Sequence, residues 1–161
     1  MFDKAIFLLI AVLRSCHCEP RECGMKVTDP LNGGGFVILN GMGFRPDGMP
    51  YELASAYPGS NLFSLASGGA IYLRDPKGKV TPDQLNGGHF GTFTKADWDL
   101  IRPYLEQNES LFGISVDDFL LKVDGKTVSP EMVYRKVEAV PVKTQKKAPL
   151  PEDDDSAAGL K

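Results

Sequence analysis

The chain has 161 residues, 42% of them hydrophobic, with a formal net charge of -3 and an isoelectric point near 5.4. That length suits one domain with tails and a core of ordinary size. The acidic balance, relieved only by a small cluster at Lys143, Lys146 and Lys147, excludes a basic nucleic-acid footprint, so no nucleic-acid partner is expected.

The first apolar stretch, Ala5 to Leu13, is far shorter than the roughly 20 residues of a membrane span. No membrane partner is expected, and the location is read as cytoplasmic. Lys4 and Ser15-Cys16 would suit a secretory leader, but Asp3 and Arg14 do not, and the stretch reads better as a helix or strand docking the N-terminus. Residues 1–27 thus form an apolar and cysteine-rich segment. Within it Cys16, Cys18 and Cys23, with His17 between, are the one cluster with metal-ligand chemistry. Paired C-x-x-C knuckles are missing, so ordinary thiols are expected, with a metal site or a disulfide as alternatives.

Residues 28–93 are glycine-rich and β-prone. Three phrases repeat: Leu31-Asn32-Gly33-Gly34 before Phe36-Val37-Ile38, Leu65-Ala66-Ser67-Gly68-Gly69 before Ile71-Tyr72-Leu73, and Leu85-Asn86-Gly87-Gly88 before Phe90. Each reads as a short strand entered through a left-handed or crowded corner that only glycine tolerates cheaply, so Gly33, Gly34, Gly68, Gly69, Gly87 and Gly88 are expected to be structural. Repeats that each deliver one strand predict stacked coils. The fold class expected is mainly β: a right-handed parallel β-helix of few coils, followed by short C-terminal helices and a disordered tail. Gly33-Gly34-Gly35 and Gly41-Met42-Gly43 lack the lysine and the following helix of a phosphate loop. Ser64 and Ser67 lie outside any G-x-S-x-G elbow and read as turn serines. His89 has no orienting carboxylate nearby in sequence and reads as a surface or hydrogen-bonded histidine. No catalytic residue is named.

Residues 94–140 change texture. Thr94-Lys95-Ala96-Asp97 predicts a helix cap, with Trp98, Ile101, Leu105 and Leu111-Phe112 as the apolar stripe. Pro103 predicts a bend or two short helices, and Asn108 and Gly113 read as stops. Ser115 caps a further turn, Asp124-Gly125 predicts a two-residue hairpin loop, and Ser129-Pro130-Glu131 predicts a last helix running through Tyr134 to Val137. Residues 141–161, with Glu152-Asp153-Asp154-Asp155, read as a disordered tail.

Asn32-Gly33-Gly34, the run from Tyr57-Pro58-Gly59-Ser60-Asn61-Leu62-Phe63 to Gly68-Gly69-Ala70-Ile71-Tyr72, Gln84-Leu85-Asn86-Gly87-Gly88, and the helix from Asp97-Trp98 to Leu111-Phe112-Gly113-Ile114 carry a resemblance. Over Asp29 to Val137, about two thirds of the chain, the sequence resembles the G-x-G-x-G β-helix domain of the glutamate synthase large subunit, in its archaeal-type and glutamate synthase-related forms. The resemblance implies a non-catalytic scaffold within a glutamate synthase-type oxidoreductase of glutamate biosynthesis. It implies no cofactor in this chain, with FMN and iron–sulfur on partner chains, and amidotransferase and FMN-binding domains or subunits as partners. An alternative is the C-type subunit of a formylmethanofuran dehydrogenase-like complex. A third reading is a free-standing enzyme using His89 or the cysteines.

Overall fold

The computed structural model describes residues 9–12, 30–32, 34–63 and 69–139. Strands β1 (Leu9–Val12), β2 (Phe36–Leu39), β5 (Ala70–Arg74), β9 (Tyr134–Ala139) and β6 (Gly88–Gly91) form one sheet in the order β1-β2-β5-β9-β6. β1 pairs antiparallel with β2, β2 parallel with β5, and β9 antiparallel with both β5 and β6. Hairpins β3–β4 (Met42–Phe44, Pro50–Glu52) and β7–β8 (Lys122–Val123, Lys126–Thr127) stand apart from it.

Strand alternation decides which core each residue enters. Phe36, Ile38, Ala70, Tyr72 and Tyr134 face helix α1 (Lys95–Phe112), packing on Trp98, Ile101 and Leu105. Leu73 and Val137 point the other way, into a smaller core with Ala56, Phe63, Val80 and Leu85 from the loops. The central strand is therefore covered on both sides. That explains why its sequence is a continuous apolar run instead of an alternating one.

The expected β-helix is not what forms. Stacked coils require each repeat's strand to lie parallel on the last one. The first two glycine phrases do deliver a parallel neighbour pair, β2 and β5, but β9 inserts antiparallel between β5 and the third phrase's strand, β6. The result is a small mixed α/β fold.

Two helix expectations are also corrected. α1 is one helix through Pro103 and not two, with Pro103 itself exposed, and Asn108, expected as a stop, lies buried within it. Gly113 does end it, at φ 69 with its N–H donating to the Glu109 carbonyl. The last helix, α2, covers only Pro130–Val133, and Tyr134 to Val137 belong to β9. The Asp124-Gly125 loop forms as read, with φ of 49 and 81 at the two positions. β1 places Leu9–Val12 against β2 as a docked strand. Cys16, Cys18, Cys23, Gly33, Gly68 and the tail beyond 139 lie outside the described residues.

Candidate functional site

The most concentrated polar chemistry lies where the first turn of α1 meets the sheet. Thr94 and Asp97 form a capping box, in which Asp97 Oδ2 accepts from the Thr94 amide at 2.9 Å and its hydroxyl at 2.7 Å. The cap leaves Oδ1 aimed at the sheet. There Tyr72 Oη donates to it at 2.8 Å and Lys136 Nζ lies 3.1 Å away. Lys136 Nζ also lies 2.8 Å from Glu138 Oε1, and Glu138 Oε2 is 3.9 Å from His89 Nε2. Lys136 and Glu138 share a face because they are two apart on β9, and His89 is the residue that register places opposite Glu138.

The site is thus a line of polar side chains, from Asp97, wholly buried, through Lys136 and Glu138 to His89, about half exposed. Gly91 makes room for it, since a Cβ there would sit 2.5 Å from Glu138 Oε2. Burial alone would raise the Asp97 pKa, yet hydrogen bonds from Thr94, Tyr72 and Lys136 outweigh it and hold the carboxyl below its ordinary value. Burial would likewise lower Lys136, but Glu138 and Asp97 outweigh it and push the ammonium above its usual value. Both groups therefore stay charged. A buried ion pair with further hydrogen bonds on each partner fixes geometry more than it adds stability, and here it ties α1, β5 and β9 together.

A second polar cluster borders the loop layer. The Arg74 guanidinium donates to the carbonyls of Leu120 (2.8 Å) and Lys122 (3.2 Å) and pairs with Glu52 at 3.4 Å. Asp75 accepts from the amides of Lys79 and Val80 and from Arg135, which also lies 3.5 Å over the Phe90 ring. A cleft lined by Gly41, Glu52, Arg74, Asp75 and Lys79 holds about 10 Å³ of space, room for one water.

Of the residues singled out from sequence, His89 is brought beside a carboxylate that sequence could not place, although 3.9 Å is too long for a hydrogen bond. Gly69 stands at φ 85, where a Cβ would meet the Gly35 carbonyl oxygen at 2.6 Å, and a Cβ on Gly88 would meet Val137 and Phe63 near 3 Å. Gly34 is buried and Gly87 turns the chain into β6. Among the described residues no group of three metal-ligating side chains comes together. The residues sequence reading missed are Tyr72, Lys136, Glu138 and Gly91. The i, i+2 spacing of Lys136 and Glu138 is the available signal, but the helix expected from Ser129-Pro130-Glu131 through Val137 takes in Lys136 and hides it. No helix among the described residues is long and apolar enough to cross a membrane. Comparison with protein-family models, curated proteins and solved structures finds no match.

Proposed function

We propose that this chain is a non-catalytic, partner-bound unit of a glutamate synthase-type oxidoreductase in the cytoplasm. In this reading, amidotransferase chains and chains carrying FMN and iron–sulfur do the chemistry. The observation that carries it is how polar and apolar groups are distributed. Asp97, Lys136, Arg74 and Asp75 are engaged by the fold itself, whereas Leu111 (69% exposed), Phe112 (50%) and Met49 (58%) stand out in solvent. Phe112 lies 6.3 Å from the Phe44 ring, so the tip of the β3–β4 hairpin and the end of α1 form one apolar corner. Such a corner suits a partner surface. The Tyr57 to Tyr72 resemblance supplies the partner's identity.

Co-expression of the tagged chain with candidate amidotransferase and FMN-binding chains tests the reading. Stoichiometric retention of a flavin-coloured partner is expected, with loss of retention in a Leu111→Ser, Phe112→Ser variant that keeps its far-UV spectrum. Glutaminase or synthase turnover by the purified chain alone would overturn it.

A further inference from the structure

Two Asn-Gly pairs among the described residues have the same local chemistry and opposite surroundings. We propose that Asn86 is a site of spontaneous, enzyme-independent modification to aspartate and isoaspartate, that Asn40 is protected from it, and that the Asn61 amide is the restraint on Asn86.

The reaction needs a backbone amide that can approach the side-chain carbonyl carbon, and a glycine after the asparagine offers the least crowding. Gly87 N attacks Asn86 Cγ, the new N–C bond closes a five-membered imide, and the Cγ–Nδ2 bond breaks. The proton lost by the Gly87 amide leaves with the amide nitrogen as ammonia. Water then adds to either imide carbonyl and the corresponding N–C bond breaks. Opening at one carbonyl gives aspartate, and at the other isoaspartate, whose main chain runs through the former side-chain carbon. Water is the only co-reactant and no electrons are exchanged.

At Asn86 the geometry allows this. The residue is exposed, it and Gly87 sit in a turn at φ 41 and 95, and a Cβ on Gly87 would meet nothing nearer than the Phe63 carbonyl oxygen at 3.7 Å. One side-chain hydrogen bond, Asn86 Nδ2 to Asn61 Oδ1 at 2.7 Å, holds the amide. At Asn40 the geometry forbids it. That side chain is wholly buried and its Oδ1 accepts from Tyr134 Oη at 2.9 Å. Gly41 is walled by Ala56, whose Cα would lie 2.8 Å from an added Cβ, and its carbonyl accepts from the Leu53 amide at 2.8 Å. Swinging toward the Gly41 nitrogen would require the Asn40 side chain to give up its Tyr134 hydrogen bond inside the core.

The modified residue would lie two positions before Gly88, where edge strand β6 and the His89–Glu138 neighbour pair begin. Either product adds one negative charge, and isoaspartate also lengthens the main chain at the entry to β6.

The test is to age the folded full-length chain in warm, mildly alkaline buffer and to sequence its peptides by tandem mass spectrometry. Isoaspartate is labelled with an isoaspartyl methyltransferase. The peptide spanning 80–95 is expected to exchange NH2 for OH at Asn86 and to take the label, while Asn40 stays intact. In urea both sites are expected to convert. Asn86→Gln, whose longer side chain would have to close a disfavoured six-membered ring, removes the 80–95 label, and Asn61→Ala is expected to speed conversion roughly fivefold, the kinetic equivalent of one released hydrogen bond. The proposal is overturned if folded Asn86 persists while a free peptide of the same sequence converts, or if Asn40 converts as fast as Asn86 in the folded chain.

Discussion

Lys136 sits between two carboxylates with only 5% of its surface exposed. Truncating it strands Asp97 as a buried charge whose remaining partners are the neutral donors Tyr72 and Thr94. Lys136→Met is therefore expected to cost about 3–5 kcal/mol, because breaking a buried pair is far worse than never having built one. Urea unfolding followed by tryptophan fluorescence measures this, as Trp98 lies against Tyr134 in the same core. The pH dependence follows from the directions of shift. Asp97 titrates below its unfolded value of 3.8, so its contribution is complete above that value and is lost as pH falls through the lower folded one. Lys136 and Tyr134 titrate above their unfolded values of 10.5 and 10.0, the phenol because burial penalises its ionised form, so stability falls as pH rises beyond those values. Unfolding midpoints are expected to be flat through neutrality, and Asp97→Asn should flatten the acid limb selectively. The carboxylate was legible in the sequence as a helix cap. Its second job was not, because nothing local to Thr94-Lys95-Ala96-Asp97 reveals a lysine nearly forty residues further on.

At the level of elements, α1 carries two opposed local signals. Pro103 removes an interior hydrogen bond and strains the carbonyl one turn back, a penalty of about 3 kcal/mol against alanine. The helix bears it because Trp98, Ile101 and Leu105 are buried against the sheet on both sides of Pro103. Pro103 itself is exposed, so Pro103→Ala sacrifices no packing and is expected to stabilise by about 2 kcal/mol once the added freedom of the unfolded chain is subtracted. Gly113 is the converse. Its φ of 69 has open space around it, so Gly113→Ala should cost roughly 1 kcal/mol through backbone strain alone. Denaturant midpoints of the two variants give the comparison directly. Caps, the Asp-Gly loop and the α1 stripe were readable because each is a contact within a few residues. β9 was not readable, because Tyr134-Arg135-Lys136-Val137-Glu138 puts a lysine and a glutamate on the face turned toward the core, so its hydrophobic pattern fits neither period. Only the partners waiting in β5, β6 and α1 make that strand acceptable.

For the whole molecule, the glycine phrases announced three strands and left their order open. Repetition in sequence suggests adjacency in space, and for β2 and β5 that holds. Between β5 and β6 it fails because β9 pairs antiparallel with each, covering Leu73 and Phe90 with Arg135 and Val137. The latest of the described strands is thus the one that joins the sheet's two parts. A ribosome that has released everything up to Val133 has made β5 and β6, yet nothing hydrogen-bonds one to the other, and the ammonium that satisfies Asp97 does not exist. Cooperative folding must then wait for nearly the full described chain, and a nascent chain stalled before Tyr134 should remain open to protease at the turns around 75–87 long after α1 has emerged.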